Sequence, residues 1–200
     1  LTPLNGIIGL SSLMKDPEME ISQKEVIDFS KGIFESGHRL LSTVQKFIYY
    51  TEIELLLNND VKKALLRKEI TKKGECELNE QCVNICQKFN RESDLELHSD
   101  HFDIKISSCQ FEVIIANILD NAFKFSDKGD KVIVEVELDD SHLHIAVIDE
   151  GLGFGEFKLN EIDAFTQFNR EKMEQQGLGL GLIISKKLIT FYEGELNITN

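Results

Sequence analysis

NILDNAFKFS, residues 117 to 126, decides how this chain is read. Ile118, Leu119, Ala122, Phe123 and Phe125 are apolar enough to form core. Asn117, Asn121 and Lys124 interrupt them at spacings of four and three. On a helix those spacings set the three polar side chains in one strip along one face. A core-forming helix with two amides and an ammonium on a single stripe offers that stripe to a ligand, unless the amides only cap nearby backbone.

Two glycine-rich stretches downstream favour the ligand. Asp149 closes the apolar run LHIAVI and precedes GLGFG. A carboxylate there is placed to accept a hydrogen bond from the amino group of a planar ligand such as adenine. Gly151, Gly153 and Gly155 allow that ligand close to the backbone. Gly177, Gly179 and Gly181 alternate with leucines and run into LIISKKLI, which is helical in pattern. Free amides at a helix N-terminus suit phosphate.

Composition bounds the classes. With 35 acidic against 22 basic residues, the formal charge is −13. Such a surface repels nucleic acid and anionic lipid, so an anionic ligand must be held by loop amides or a metal ion. Cys76, Cys82, Cys86 and Cys109 form no C-x-x-C pair and read as reduced, mostly buried thiols of an intracellular protein. The sequence has no signal peptide and no apolar run long enough to span a membrane.

The expected fold is α+β: a helical hairpin forming a dimeric four-helix bundle, then an α/β sandwich with a mixed sheet. Residues 1–66 read as helical. Ser22 followed by Glu25 is a capping box. Val26, Phe29, Ile33, Leu40, Val44 and Phe47 form an apolar seam suited to a bundle. Helical from Ser22 to Leu57, the second helix is ~54 Å long and needs more than the short first helix to cover its stripe. Residues 67–74, charged and ending in Gly74, read as a linker. Within 75–200, NEQCVNICQKFNR reads as a helix and DIKIS, residues 103–107, as a strand. KVIVEVEL and LHIAVID read as an antiparallel hairpin, and ELNIT as the start of a last, incomplete strand.

In this order, NILDNAFKFS, DEGLG and GLGLGLIISKKL resemble the N, G1 and G2 boxes of the histidine kinase ATP-binding domain, of the GHKL type. DAFTQF resembles its F box, and LTPLNGIIG the tail of its phosphoacceptor motif. The resemblance implies ATP and Mg²⁺ as ligands. It gives Asn117 and Lys124 catalytic roles, with Asn121 on the Mg²⁺ and Asn117 close to the same ion. Lys124 compensates phosphate charge, Phe125 joins the nucleotide set, and Asp149 with Gly151 and Gly153 receives adenine. Gly177, Gly179 and Gly181 line the phosphates. Residues 166–176 become a lid, with Phe165 at its base and Arg170 or Lys172 reaching the γ-phosphate. Thr2 takes a possible phosphatase role.

It further implies a sensor histidine kinase core transferring phosphoryl from ATP to a histidine, with a homodimer and a response-regulator receiver domain as partners. Such a core is cytoplasmic, with membrane contact only through other parts of the parent. The alternatives are a non-catalytic nucleotide-binding scaffold and a GHKL ATPase. Asn117, where the ATPase branches carry Glu, disfavours the latter.

The chain departs from the pattern in places. The acceptor histidine falls three residues before Leu1, Leu1 replaces Arg, Ile162 replaces the first F-box Phe, Leu178 stands for Ser or Thr, and Gly194 is single. His38 reads as a surface residue. His98, Asp100 and His101 need not converge, and His142 and His144 have no carboxylate placed to complete a metal site.

Overall fold

The computed structural model describes residues 2–139, 142–151, 153 and 180–199. By contact they divide into a first unit that runs to Glu52 and includes Leu180, and a second that runs from Ile53 and resumes at Gly181.

In the first unit, α1 (Thr2–Lys15) and α2 (Gln23–Leu57) form the hairpin. The capping box is made: the Ser22 amide donates to Glu25 Oε2 at 2.8 Å, and the Glu25 amide donates to Ser22 Oγ at 3.3 Å. The Ser22 hydroxyl and amide both hold the Glu25 carboxyl below its usual range. Small residues let the helices approach. A β-carbon on Gly32 would lie 2.6 Å from Leu10, and one on Gly6 2.8 Å from Ser36 Oγ. The face of α2 toward α1 is thus Phe29, Gly32, Ile33, Ser36 and Leu40. Of the expected seam, Phe29, Ile33 and Leu40 are partly covered, while Val26, Val44 and Phe47 are exposed. A second apolar series, Ile27, Phe34, Leu41 and Ile48, recurs every seven residues and stays exposed on α2.

The second unit takes the end of α2, then α3 (Asp60–Leu66) and α4 (Gly74–Phe89). α4 begins at Gly74 because a side chain there would strike Phe102, whose ring atoms come within 2.2 Å of an ideal β-carbon. Next come β1 (Leu95–His98), α5 (Ser108–Phe125), β2 (Val132–Leu138), β3 (Leu143–Asp149) and α6 (Leu180–Phe191). The sheet has the order β1-β2-β3, with β1 parallel and β3 antiparallel to β2.

Two strand assignments need correction. DIKIS forms no strand: Ile104 makes only an isolated bridge to Thr71. The partner of β2 is Leu95–His98, which pairs Leu95 with Val132 and His98 with Glu135. Residues 194–199 carry no strand. A parallel pair joins segments far apart in sequence, so no local signal separates LELH from DIKIS.

α4 and α5 cover one face of the sheet. Leu78, Cys82, Phe102, Phe111, Ile115, Leu119 and Val134 form one buried cluster, and Cys86, Ala122, Phe123 and Val132 form another. Glu135 and Glu137 point to the other, exposed face, the alternation expected of a two-layer fold. Burial of each large side chain contributes ~1.5–3 kcal/mol. The cysteines are all free. Cys82 and Cys86 are buried, burial pushing the Cys82 thiol up to about 12, but Cys76 and Cys109 are exposed, contrary to a mostly buried set.

Candidate functional site

α5 starts where Ser107 caps it, its hydroxyl accepting from the Gln110 amide at 3.3 Å. Phe111, Ile115, Leu119, Ala122 and Phe123 then enter the core. That fixes the rotation of the helix. Asn117, Asn121 and Lys124 are left half-buried at its border. The Lys124 ammonium lies 5.4 Å from the Phe125 ring centroid.

The two glycine segments meet this helix at separate points. At Gly151 an added β-carbon would lie 2.5 Å from the Phe125 carbonyl oxygen and 2.6 Å from Asp149 Oδ1. The Gly151 amide donates to Asp149 Oδ1 at 2.9 Å. The turn after β3 is therefore seated on the C-terminal end of α5, with the Asp149 carboxylate exposed beside it. Gly153 has φ +62, a backbone that favours glycine. At the start of α6, a β-carbon on Gly181 would lie 2.8 Å from Asn117 Oδ1. Further along, the fully buried Ser185 hydroxyl donates to the Ile114 carbonyl at 3.4 Å.

Gly181 is thus brought to Asn117, and Gly151 with Asp149 to Phe125, two contacts on one helix from distant segments. Asn121 and Lys124 share the exposed border of α5. Phe165, Arg170, Lys172, Gly177 and Gly179 lie outside the described residues. Thr2 opens α1 in the first unit.

The donor set fits a nucleotide with a hard cation: neutral amide oxygens suit a metal already facing phosphate charge. Glycine at 151 and 181 lets these backbones lie directly against the Phe125 carbonyl and the Asn117 side chain. Among the described residues, no group of three or more His, Cys, Asp or Glu could hold a metal by itself.

Three of the histidines lie beside acids. His101 Nδ1 lies 2.8 Å from Glu75 Oε1. Asp139 brackets the hairpin pair, with Oδ2 3.0 Å from His144 Nε2 and Oδ1 3.8 Å from His142 Nδ1. A carboxylate does stand beside them, that of Asp139 directly after β2.

Sequence reading missed Arg91 and Asp94. They are buried, and Arg91 Nε donates to Asp94 Oδ2 at 2.7 Å. The signal available was an Arg and an Asp three residues apart just after a helix, which is weak.

Residues 109–200 match the family described as histidine kinase-, DNA gyrase B-, and HSP90-like ATPase. The chain is 27% identical over 203 residues to sensor protein KdpD of Clostridium acetobutylicum, covering 100% of this chain and 22% of KdpD. It is 29% identical over 209 residues to sensor protein GacS of Pseudomonas syringae pv. syringae, covering 98% and 22%. The solved histidine kinase AdeS of Acinetobacter baumannii has the same fold, with a TM-score of 0.55 at 15% identity over 95% of this chain and 84% of that one. The fold and the site define an ATP-binding domain preceded by a helical hairpin. Together with these relatives they support a histidine kinase catalytic-core fragment, similar in sequence to sensor histidine kinases along nearly its whole length. It spans about a fifth of the length of those curated relatives (22% of each). No described helix is long and apolar enough to cross a membrane.

Proposed function

We propose that this chain binds ATP with Mg²⁺ and serves phosphoryl transfer to a histidine in two-component signalling. The observation that carries the reading is the meeting of Asn117 with Gly181 and of Phe125 with Gly151 and Asp149, within a domain of the ATP-binding family. Asp149 accepts from the adenine amine, and Asn121 with Asn117 supplies amide oxygens for the cation. Lys124 compensates phosphate charge. Bound Mg²⁺ supplies neutralisation of the phosphates, which together with positioning is most of what such a transfer requires. Phe165 with Arg170 or Lys172, and Gly177 with Gly179, complete the binding set by resemblance, and Thr2 serves dephosphorylation.

The partners in this reading are a second copy of the chain and a response-regulator receiver domain. The exposed series Ile27, Phe34, Leu41 and Ile48 supports the homodimer. The core works where ATP is held, in the cytoplasm.

Calorimetry with ATP, GTP and metal-free ATP tests the proposal. Binding of ATP with Mg²⁺ and rejection of GTP are expected. Equal affinity for GTP would remove the adenine role of Asp149.

A further inference from the structure

Arg91 has only 4% of its surface exposed, and a buried guanidinium persists where its donors are met. Beyond Asp94, its Nη1 donates to the Phe123 carbonyl at 2.9 Å, the Ser126 carbonyl at 3.0 Å and Ser126 Oγ at 2.9 Å. Its Nη2 donates to the Asp130 carbonyl at 2.9 Å. The guanidinium carbon stands 5.1 Å from the Phe123 ring centroid.

Local sequence aims it there. α4 ends with Asn90 in the left-handed region at φ 53, a conformation that asparagine tolerates. The Arg91 amide then donates back to the Cys86 carbonyl at 2.9 Å. A short turn, Glu92–Asp94, brings the Asp94 carboxylate onto the same guanidinium. Asp94 Oδ2 also accepts from the Gly129 amide at 2.9 Å, so the pair holds the turn after α5 from two sides.

What Arg91 grips is the main chain on either side of Lys124 and Phe125. The Phe125 carbonyl lies between the two gripped carbonyls, and it is the atom against which Gly151 is seated. Gly151 in turn donates to Asp149. A continuous path therefore runs from Arg91 through the end of α5 to the turn carrying the adenine carboxylate. Lysine cannot reproduce it, because an ammonium lacks the planar fork that meets several carbonyls in fixed directions.

We propose that Arg91, held by Asp94, is a positioning residue of the nucleotide site: it fixes the Phe125 carbonyl against the Gly151 turn and so sets Asp149 relative to Lys124. The proposal rests on the nucleotide-binding reading above. Arg91 touches no ligand itself.

The test compares the unaltered chain with Arg91→Lys and with Leu78→Ala, a control whose core cluster excludes Phe123. ADP affinity, melting temperature and amide exchange at Gly151 are measured on each. Arg91→Lys keeps a buried cation for Asp94 and should fold. It should lose about tenfold to a hundredfold in ADP affinity, the scale that small misplacements produce, and the Gly151 amide should exchange faster. Leu78→Ala should melt lower with ADP affinity and Gly151 exchange unchanged. If the unaltered chain binds ADP and Arg91→Lys binds it equally well, the positioning role falls alone. Unchanged exchange at Gly151 in Arg91→Lys also overturns it. Failure of the unaltered chain to bind ADP sinks the proposed function, and this role with it.

Discussion

At the scale of single residues, the two site glycines differ in what surrounds them. A β-carbon at 151 meets a main-chain carbonyl at 2.5 Å, which cannot swing away. A β-carbon at 181 meets the end of the Asn117 side chain at 2.8 Å, which can rotate. Gly151→Ala should therefore cost ~1–3 kcal/mol of stability, as overpacking does. Gly181→Ala should leave stability nearly intact but weaken ATP by about tenfold, or ~1.4 kcal/mol, by turning the Asn117 amide. Chemical denaturation beside calorimetry separates the two. A Gly181→Ala variant with full ATP affinity would remove Asn117 from the site.

The buried pair makes a pH prediction at the same scale. Arg91, with help from the Gly129 amide and Ser93, holds the Asp94 carboxyl down to about 2. Its folded value lies below its unfolded one, so its contribution is fully present above about pH 4 and is lost as pH falls through about 2. Melting curves of the unaltered chain and Asp94→Asn should lie far apart at neutral pH and converge toward pH 2. A gap independent of pH would show that Asp94 does not act as a charge. Arg91→Leu, which strands the carboxylate, should cost roughly 3–5 kcal/mol.

At the scale of elements, what could be read depended on whether the signal was local. The capping box at Ser22 lies within four residues and forms as the sequence suggests. The stripe on α5 was legible because helical spacing alone aligns Asn117, Asn121 and Lys124. β1 was not, since LELH acquires its partner across the 33 residues that separate His98 from Val132.

The α2 surface falls between these cases. The three-and-four series through Phe29, Ile33 and Leu40 is real, but the hairpin uses that face against α1, where Gly6 and Gly32 bring the helices together. The seven-residue series Ile27, Phe34, Leu41 and Ile48 is what remains exposed. Leaving such side chains in water forfeits ~1.5–3 kcal/mol each. Phe34→Glu with Leu41→Glu should abolish self-association in sedimentation while leaving helicity unchanged. Association that survives both changes would put the dimer contact elsewhere.

At the scale of the whole molecule, the three boxes were visible because each places its chemistry in consecutive residues. Their assembly was not visible: that Gly151 sits on Phe125, and Gly181 on Asn117, depends on the packing of α5, β3 and α6. The Arg91 network was invisible for the same reason, as its acceptors are carbonyls, which every residue has. The kinase reading makes its sharpest demand on the histidines. This chain should bind ATP yet accept no phosphoryl on His38. That residue lies on α2, the second helix of the hairpin, whereas the motif tail LTPLN opens the first. Ser36 and Gly37 precede it and Arg39 follows, so it lacks the sequence-adjacent carboxylate that would orient an imidazole for attack. Its ring instead packs edge-on against Phe34, with centroids 4.4 Å apart. Incubation with γ-labelled ATP should leave no acid-labile label on His38, and His38→Gln should leave ATP affinity unchanged. Label that appears on this chain and disappears in His38→Gln would overturn the match of LTPLN to the acceptor helix, and with it the division of labour assigned to the two helices.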